Sequence, residues 1–163
     1  MTIEPTRIVI RPLAEGDLPA VAAIAVAHEM FPPDMLPEMT TAFLAASDPD
    51  AADEAWTVAD LDGSPVGFCY AVPEQLADGA WNMLALAVSP DHQGVGIGTA
   101  LTSDLERRLR ERGDVRILIV DTSGTAYFAP THEFYGKRGY EPEARIRDYW
   151  AEGDDKVTFR KVL

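Results

Sequence analysis

Alternating apolar and polar positions form one of two hydrophobic patterns in this chain, and this pattern predicts strands near both ends and in the middle. Between residues 56 and 72 the alternation runs on both sides of Asp62-Gly63, a strong tight-turn signal, and so predicts a hairpin. An apolar run over residues 83–88, in a predicted strand of residues 80–88, and a short, mostly apolar run over residues 115–120 have the composition of buried strands. The other predicted strands are residues 7–12, 144–150 and 156–162, the last two joined by a turn at residues 152–155.

Apolar residues spaced three or four apart form the second pattern, which predicts four helices between these strands. The first begins after Asp17, a residue type that commonly caps helices, and has Pro19 in its first turn. The second covers residues 35–46, the third carries an apolar residue every four positions over residues 97–109, and the fourth ends before Tyr140. The element order β-α-α-β-β-β-α-β-α-β-β predicts an α/β domain with both sheet faces covered.

A glycine-rich turn joins the strand that ends at Val88 to the third helix, and it contains Gly94, Gly96 and Gly98. Such a turn can hold an anion, because glycines let backbone N–H groups approach closely and the helix start adds unpaired donors and a positive dipole end. A P-loop needs Lys-Ser/Thr after its last glycine, but Thr99-Ala100 follows here. The dinucleotide fingerprint needs a third glycine three residues after the second, and this spacing misses it.

Two motifs together resemble the GCN5-related N-acetyltransferase (GNAT) family. Gln93-Gly94-Val95-Gly96-Ile97-Gly98 is similar to the family's pyrophosphate loop, and Phe134-Tyr135-Gly136-Lys137-Arg138-Gly139-Tyr140 resembles its second segment, at the usual separation. The resemblance implies one domain over residues 1–163 with the GNAT fold, a central mixed, mostly antiparallel twisted sheet of about seven strands flanked by about four helices. It also implies that the strand before the loop and the next strand splay apart, so that the cofactor arm enters the gap.

The resemblance further implies transfer of an acetyl group from acetyl-CoA, the co-substrate, directly to a primary amine of a small molecule or a protein. A Cβ at Gly96 or Gly98 would block the approach of the pyrophosphate or the required backbone angles. Tyr135 is the expected general acid for the coenzyme A sulfur, since a phenol with a pKa of about 10 suits that task. The N–H of Val88 is the expected oxyanion donor. The implied cofactor-binding residues are Ala87, Val88, Gln93, Gly94, Val95, Gly96, Ile97, Gly98, Thr99 and Tyr135.

The general base is left open, because this chain departs from the family at that point. Many relatives carry a glutamate on the strand before the loop, but residues 81–88 contain no carboxylate. The alternatives are a water chain or one of the acidic residues Glu29, Asp34, Glu38 and Glu74.

Several other polar residues have two interpretations. Many relatives carry an asparagine upstream of Tyr135 that contacts the cofactor arm, and Asp121, Thr122 or Ser123 are the candidate replacements here. Lys137 and Arg138 either contact phosphate or are solvated residues at a helix end. We expect His92 and His132 to be bystanders. No His, Cys and carboxylate spacing matches a metal site, so no metal is expected.

Composition and charge limit the classes of partner that this chain can bind. The 163 residues are 47% apolar and carry a net charge of −13, which disfavours nucleic acid and anionic membranes as partners and is compatible with a cationic acceptor. The apolar stretches are too short to cross a bilayer, and the N-terminus lacks the apolar core of a signal peptide. The single cysteine, Cys69, excludes an internal disulfide and fits a cytoplasmic location. A homodimer is left open.

Two alternatives to an enzyme are left open, and the missing strand carboxylate motivates the first of them. The first is a non-catalytic acyl-CoA-binding or sensory module with the same fold, although the presence of Tyr135 argues against it. The second is a structural domain with a vestigial site, which would bind no cofactor at all.

Overall fold

The elements of the computed structural model, which describes residues 7–163, follow the predicted order. The strands are β1 (Ile8–Pro12), β2 (Ala55–Leu61), β3 (Ser64–Pro73), β4 (Ala80–Val88), β5 (Ile117–Ser123), β6 (Glu141–Ala151) and β7 (Asp154–Val162). The helices are α1 (Leu18–Ala27), α2 (Leu36–Ala45), α3 (Ile97–Arg112) and α4 (Ala129–Lys137), with short 3₁₀ turns beside them. No helix within residues 7–163 is long and apolar enough to cross a membrane.

The seven strands form one sheet in the order β1-β2-β3-β4-β5-β7-β6. All neighbouring strands are antiparallel except β4 and β5, which are parallel because α3 connects them. The mixed, mostly antiparallel sheet with four helices is therefore confirmed. The Asp62-Gly63 turn between β2 and β3 has positive φ at both residues, as the hairpin signal predicts.

Two apolar cores lie on opposite faces of this sheet. On one face the predicted stripe of α3 is buried, including Leu101, Leu105 and Leu109, together with Tyr135 of α4. On the other face α1 and α2 cover an aromatic group that includes Trp56 and Phe68. Burying one leucine side chain contributes about 1.5–3 kcal/mol, so these two layers fix the sheet between the helix pairs.

The parallel pair β4 and β5 separates soon after it begins. Their pairing covers only Ala80–Ile117, Trp81–Leu118 and Asn82–Ile119, although β4 continues to Val88 and β5 to Ser123. The predicted splayed pair is confirmed. The separation leaves a wedge-shaped gap, here called the strand gap, that opens toward the end of β4.

A bulge at Leu84 accompanies the strand gap. Ala71 pairs with Met83 and Tyr70 with Ala85, so that β4 has one residue more than β3 at this point. Met83 belongs to the core under α3 and α4, whereas Ala85 belongs to the core under α1 and α2. A bulge bends its strand and increases the local twist, which turns the end of β4 away from β5.

The structure differs from the sequence prediction at the start of α1. Asp17 directly precedes the helix, but its side chain does not cap it. The carboxylate instead accepts hydrogen bonds from the Arg11 guanidinium at 2.7 and 2.8 Å and from the Ala14 N–H at 2.8 Å. The hydrogen bonds from Arg11 lower the pKa of Asp17. A guanidinium on β1 therefore competes successfully for the oxygens that a local cap would use.

Candidate active site

The glycine-rich turn places free backbone donors at the wide end of the strand gap. Gly94 and Gly96 have φ of +76° and +90°, a region that glycine adopts without the strain other residues incur. Gly96 is the N-cap residue of α3, and no side chain within residues 7–163 caps this helix. The first N–H groups of α3 are therefore left for an anion.

The three glycines of the turn have different roles. The backbone requirement predicted for Gly96 is confirmed, whereas Gly98 lies in the first turn of α3 without a positive φ. A Cβ at Gly98 would be 3.5 Å from the Phe134 ring, an ordinary van der Waals distance. Neither the backbone angles nor the neighbouring atoms require glycine at position 98, and the close approach of the pyrophosphate there stays a prediction.

Of the two basic candidates, the structure brings Arg138 to the start of α3. Its guanidinium lies 3.9 Å from the Phe134 ring centre, and Nη2 donates a hydrogen bond to Oγ1 of Thr99. Its Nε is buried and has no partner within residues 7–163. Lys137 instead pairs with Glu133 at 2.9 Å on the exposed side of α4. Arg138 is thus the cation available to an anion bound at the turn.

The peptide group of Val88 faces the strand gap. The Ser89 N–H donates to the Val66 carbonyl at 2.7 Å, and hydrogen-bonded pairs alternate along an antiparallel ladder. The neighbouring pair, Gly67 with Val88, is therefore not hydrogen-bonded, and the N–H and C=O of Val88 point away from β3, toward the side that β5 has left.

One contact to this peptide was not anticipated from the sequence. Nε2 of His28, directly after α1, lies 2.6 Å from the Val88 carbonyl oxygen. His28 is exposed, and it belongs to the segment between α1 and α2. The only sequence signal for this residue was its place at the end of a helix.

Tyr135 lies on the α3 and α4 side of the sheet. It is 4% exposed, and its ring packs against the rings of Phe134, Tyr140 and Phe159 at centroid distances of 5.3, 5.4 and 5.7 Å. Burial raises the pKa of Tyr135 well above its usual range. The hydroxyl therefore stays protonated at neutral pH, as a proton donor must. Phe134 and Tyr140 therefore serve as packing partners of the Tyr135 ring.

Acidic and amide side chains meet on the opposite face of the sheet. Nδ2 of Asn82 donates hydrogen bonds to Oε1 of Glu74 at 2.8 Å and to Oδ2 of Asp121 at 3.2 Å. Oγ1 of Thr158 donates to Oδ1 of Asp121 at 2.6 Å. We call Glu74, Asn82 and Asp121 the carboxylate cluster. Three separate segments supply it, so that no local motif could reveal it.

The remaining acidic candidates lie elsewhere. Glu29, Asp34 and Glu38 are exposed residues around the connection between α1 and α2. Of the four carboxylates weighed as general base, Glu74 is the one whose hydrogen bonds place it beside the strand gap.

The other polar candidates make structural contacts. His132 lies with Nε2 2.8 Å from the Ser123 carbonyl oxygen, and its ring packs on Phe159. The Ser123 hydroxyl donates to Asp154 at 2.6 Å, and Thr122 is buried. Within residues 7–163, no group of three or more His, Cys, Asp or Glu side chains is arranged to hold a metal ion.

Comparisons with known proteins agree with this geometry. The acetyltransferase (GNAT) family matches over residues 21–140. An uncharacterized N-acetyltransferase of Methanocaldococcus jannaschii is 27% identical over 104 residues, a match that spans 64% of each chain.

Solved structures give the fold over almost the whole chain. A GNAT-family protein from Desulfovibrio desulfuricans superimposes with a TM-score of 0.84 at 26% identity, over 96% of this chain and 99% of that one. YncA from Salmonella typhimurium, solved with its cofactor acetyl-CoA, has a TM-score of 0.77 at 18% identity, over 96% and 94% of the two chains. The family match covers well over half of the chain, and the protein therefore belongs to the acetyltransferase (GNAT) family.

Proposed function

We propose that this protein is an acetyl-CoA-dependent N-acetyltransferase that transfers the acetyl group directly to a primary amine. The observation that carries the proposal is the strand gap, where β4 and β5 pair over three residues and then separate beside an uncapped helix start. The bound acetyl-CoA of YncA, which shares the fold, supports acetyl-CoA as the donor.

The donor's pyrophosphate is proposed to bind the backbone N–H groups of residues 93–99. Because the chain carries a net charge of −13, attraction for so anionic a molecule must come from local groups. The uncapped start of α3 supplies backbone donors, and Arg138 supplies a positive charge beside Thr99. The thioester arm would then run into the strand gap along β4.

The N–H of Val88 is proposed to stabilise the oxyanion that forms when the amine attacks the thioester. This assignment is supported by the ladder geometry, which turns the Val88 peptide toward the strand gap. One such donor contributes about 2.7–4 kcal/mol to barrier lowering.

Protons must leave the amine and reach the sulfur. An ammonium loses two protons on becoming an amide N–H, the C–S bond of the thioester breaks, and the departing sulfur gains one proton. We assign the donation to sulfur to Tyr135. The first deprotonation of the ammonium is assigned to Glu74 acting through a chain of water molecules, because Glu74 lies beside Asn82 and Val88 is six residues further along β4. The second proton, lost from nitrogen as the intermediate collapses, restores the Tyr135 hydroxyl.

Calorimetry with acetyl-CoA tests the proposal, with free coenzyme A and NAD as controls. We expect acetyl-CoA and coenzyme A to bind and NAD not to bind, after which primary amines can be screened by thiol release. If acetyl-CoA does not bind, the proposed function is wrong.

A second candidate is a non-catalytic acyl-CoA-binding module, favoured by the absence of a carboxylate from residues 81–88. Such a module would bind acetyl-CoA but release no thiol with any amine, and its affinity would be indifferent to Tyr135→Phe. A protein that acetylates an amine and slows sharply in Tyr135→Phe excludes this candidate.

The setting of the enzyme is also proposed. A cytoplasmic location is supported by the one cysteine, Cys69, which is buried and unpaired in the part of the chain that is described. A single domain is supported by the one sheet that contains all seven strands of residues 7–163. Light scattering on the purified protein distinguishes a monomer from the homodimer that the sequence leaves open.

A further inference from the structure

We propose that His28 is a catalytic residue that takes the proton from the attacking ammonium group. The inference rests on the proposed function and adds a step to the water chain that leads to Glu74. His28 would stand between the reacting nitrogen and the first water molecule of that chain.

His28 lies at the end of β4 to which the reacting thioester is assigned. Nε2 of its ring is 2.6 Å from the carbonyl oxygen of Val88, whose N–H is the proposed oxyanion donor. The N–H and C=O of one residue in an extended strand point to the same side, so a group bound to the N–H of Val88 and a ring bound to its oxygen are neighbours. Within residues 7–163, His28 is the titratable side chain that is hydrogen-bonded to Val88.

A second contact shows where the Val88 oxygen points. Nε2 of Gln93, in the glycine-rich turn, lies 3.5 Å from the same oxygen. The oxygen therefore faces the space between the end of α1 and the turn. An amine that attacks a thioester held at the N–H of Val88 would enter this space beside the His28 ring.

The contact with Val88 fixes which ring nitrogen of His28 can take a proton. A carbonyl oxygen only accepts hydrogen bonds, so Nε2 must carry a hydrogen. In the neutral ring Nδ1 then has a free lone pair, which makes it the proton acceptor. The side chain is exposed, so that water can remove the proton from Nδ1 afterwards.

The end of α1 holds His28 in a fixed place. Val21 and Ala25 of α1 are fully buried in the same core as Ala85 and Ala87 of β4, which joins the helix to the strand. After His28 the helix ends at Glu29, which has a φ of +50°. A residue other than glycine is strained there, and such strain is found where the surrounding structure fixes the backbone beside a functional group.

The closing hydrogen bonds of α1 confirm that this end is ordered. The N–H of Glu29 donates to the Val26 carbonyl at 3.1 Å, and the N–H of Met30 donates to the Ala25 carbonyl at 3.0 Å. These two bonds form the pattern typical of a helix that ends in a left-handed residue. His28 is therefore presented to β4 by a defined helix end.

The proton acceptor and the proton donor lie on different sides of the sheet. His28 follows α1, which covers one face, whereas Tyr135 belongs to the core on the other face. A thioester in the strand gap would thus have the base for its attacking nitrogen on one side and the acid for its departing sulfur on the other.

The proposed step moves one proton. The Nδ1 lone pair of His28 takes a proton from the ammonium, which becomes a neutral amine with a free electron pair, and the ring becomes an imidazolium. The imidazolium gives this proton to the water chain that ends at Glu74. The amine then attacks the thioester carbon, and the C–S bond breaks with proton donation from Tyr135.

The first test observes the histidine rings by nuclear magnetic resonance of the protein labelled with ¹⁵N-histidine. The chain has three histidines, and the signal that disappears in His28→Gln identifies His28. We expect the neutral ring to carry its hydrogen on Nε2 and its signals to shift when coenzyme A is added. A hydrogen on Nδ1, or ring signals that do not respond to coenzyme A, overturns the proposal.

Two variants separate proton transfer from the hydrogen bond to Val88. His28→Gln keeps an N–H donor that can reach the Val88 oxygen but cannot take up a proton, and His28→Ala loses both functions. At saturating acetyl-CoA both should lower turnover by about 10²-fold, with little change in acetyl-CoA affinity. His92→Gln, the same change in the 3₁₀ turn after β4, is the matched control. Full turnover in His28→Gln with a loss in His28→Ala overturns the proposal.

Rescue of His28→Ala by a small base gives a readout that a purely structural role would not change. Thiol release is measured with acetyl-CoA and n-butylamine, and then with the other amines of the screen. Imidazole in solution should restore much of the turnover, whereas pyrazole, a ring of the same size and a much weaker base, should not. Tyr135→Phe should gain nothing from imidazole, because it lacks the acid. Equal gains with both rings, or no gain with imidazole, overturn the proposal.

The parent protein separates this inference from the proposed function. If it binds acetyl-CoA and acetylates an amine while His28→Gln is equally fast, only the role of His28 is wrong. If it does not bind acetyl-CoA, or acetylates no amine, the proposed function is wrong and His28 loses its role with it.

Discussion

The two ends of the strand gap are built in different ways. At the wide end, backbone groups supply most of the free hydrogen-bond donors, because the glycine-rich turn and the uncapped start of α3 lie in one continuous stretch. At the narrow end, the carboxylate cluster consists of side chains from three segments that meet only in the fold. The wide end therefore depends on local backbone geometry, whereas the narrow end depends on side chains that are far apart in the sequence.

Tyr135→Phe should have the largest effect, and it separates the catalytic step from the binding of acetyl-CoA. Loss of general acid catalysis is expected to lower turnover by about 10²- to 10⁴-fold. The affinity for acetyl-CoA should change little, since the ring and its packing remain. Thiol release and calorimetry measure the two quantities, and unchanged turnover contradicts the assignment of Tyr135 as the acid.

Glu74→Gln tests the narrow end alone. Turnover of a cationic amine should fall by about 10²-fold, because the amide neither attracts the ammonium nor accepts its proton. Acetyl-CoA affinity should not change. Glu38→Gln, at an exposed position on α2, is the matched control. A similar loss in both variants would mean that the effect is one of overall charge.

Gly96→Val tests the backbone at the wide end. At a φ of +90° a β-branched residue is strained by about 1–3 kcal/mol, so acetyl-CoA should bind roughly ten- to a hundredfold more weakly. Gly16→Ala is the control, since Gly16 has neither a positive φ nor an atom near its Cβ position. Equal acetyl-CoA affinity in Gly96→Val and Gly16→Ala would contradict a role for the backbone at the wide end.

Arg138→Met tests the one side chain that the wide end adds. We expect acetyl-CoA affinity to fall about tenfold, the value of one hydrogen bond to a charged group. Lys137→Met changes the same charge on the neighbouring residue and should have little effect, because Lys137 lies on the exposed side of α4. Equal losses would contradict a specific role for Arg138.

Asp17→Asn should have the smallest effect, and it concerns stability outside the strand gap. Arg11 lowers the pKa of the folded-state carboxylate, so the stabilisation is present above the unfolded pKa of about 4 and is lost as the pH falls through the lower folded value. At neutral pH the free energy of unfolding of the variant should be about 1 kcal/mol lower than that of the parent protein. Denaturant titrations should show this difference shrinking toward zero in acid, while acetyl-CoA affinity at neutral pH stays the same.

The sequence predicted what depends on neighbours in the chain. The Asp62-Gly63 hairpin, the stripe of α3 and the turn at Gly94 and Gly96 all follow from local spacing, and the structure has them. The sequence could not show which of the four candidate carboxylates is best placed to act as general base, because Glu74 differs from other surface carboxylates only through its hydrogen-bonded neighbours Asn82 and Asp121.

Other differences also arise from partners that are distant along the chain. Asp17 looks like a helix cap until Arg11 on β1 takes its oxygens. His28 has no motif, and its contact with Val88 depends on how α1 packs on the sheet. Two strand boundaries differ from the predicted ones for a similar reason. β5 extends to Ser123 and β6 begins at Glu141, because β7 supplies a pairing partner along those residues.

The bulge at Leu84 depends on the number of residues in β4 and not on which residue type occupies the position. β4 holds one residue more than the stretch of β3 it faces, and Leu84 itself is 52% exposed. Almost any side chain should serve at that position, whereas removing the residue would let β4 straighten against β5 and close the gap in which the chemistry is proposed to occur. Such a position can accept many substitutions during evolution and still not tolerate a deletion. The number of residues between two pairing positions reveals this constraint, whereas the residue type at the position does not.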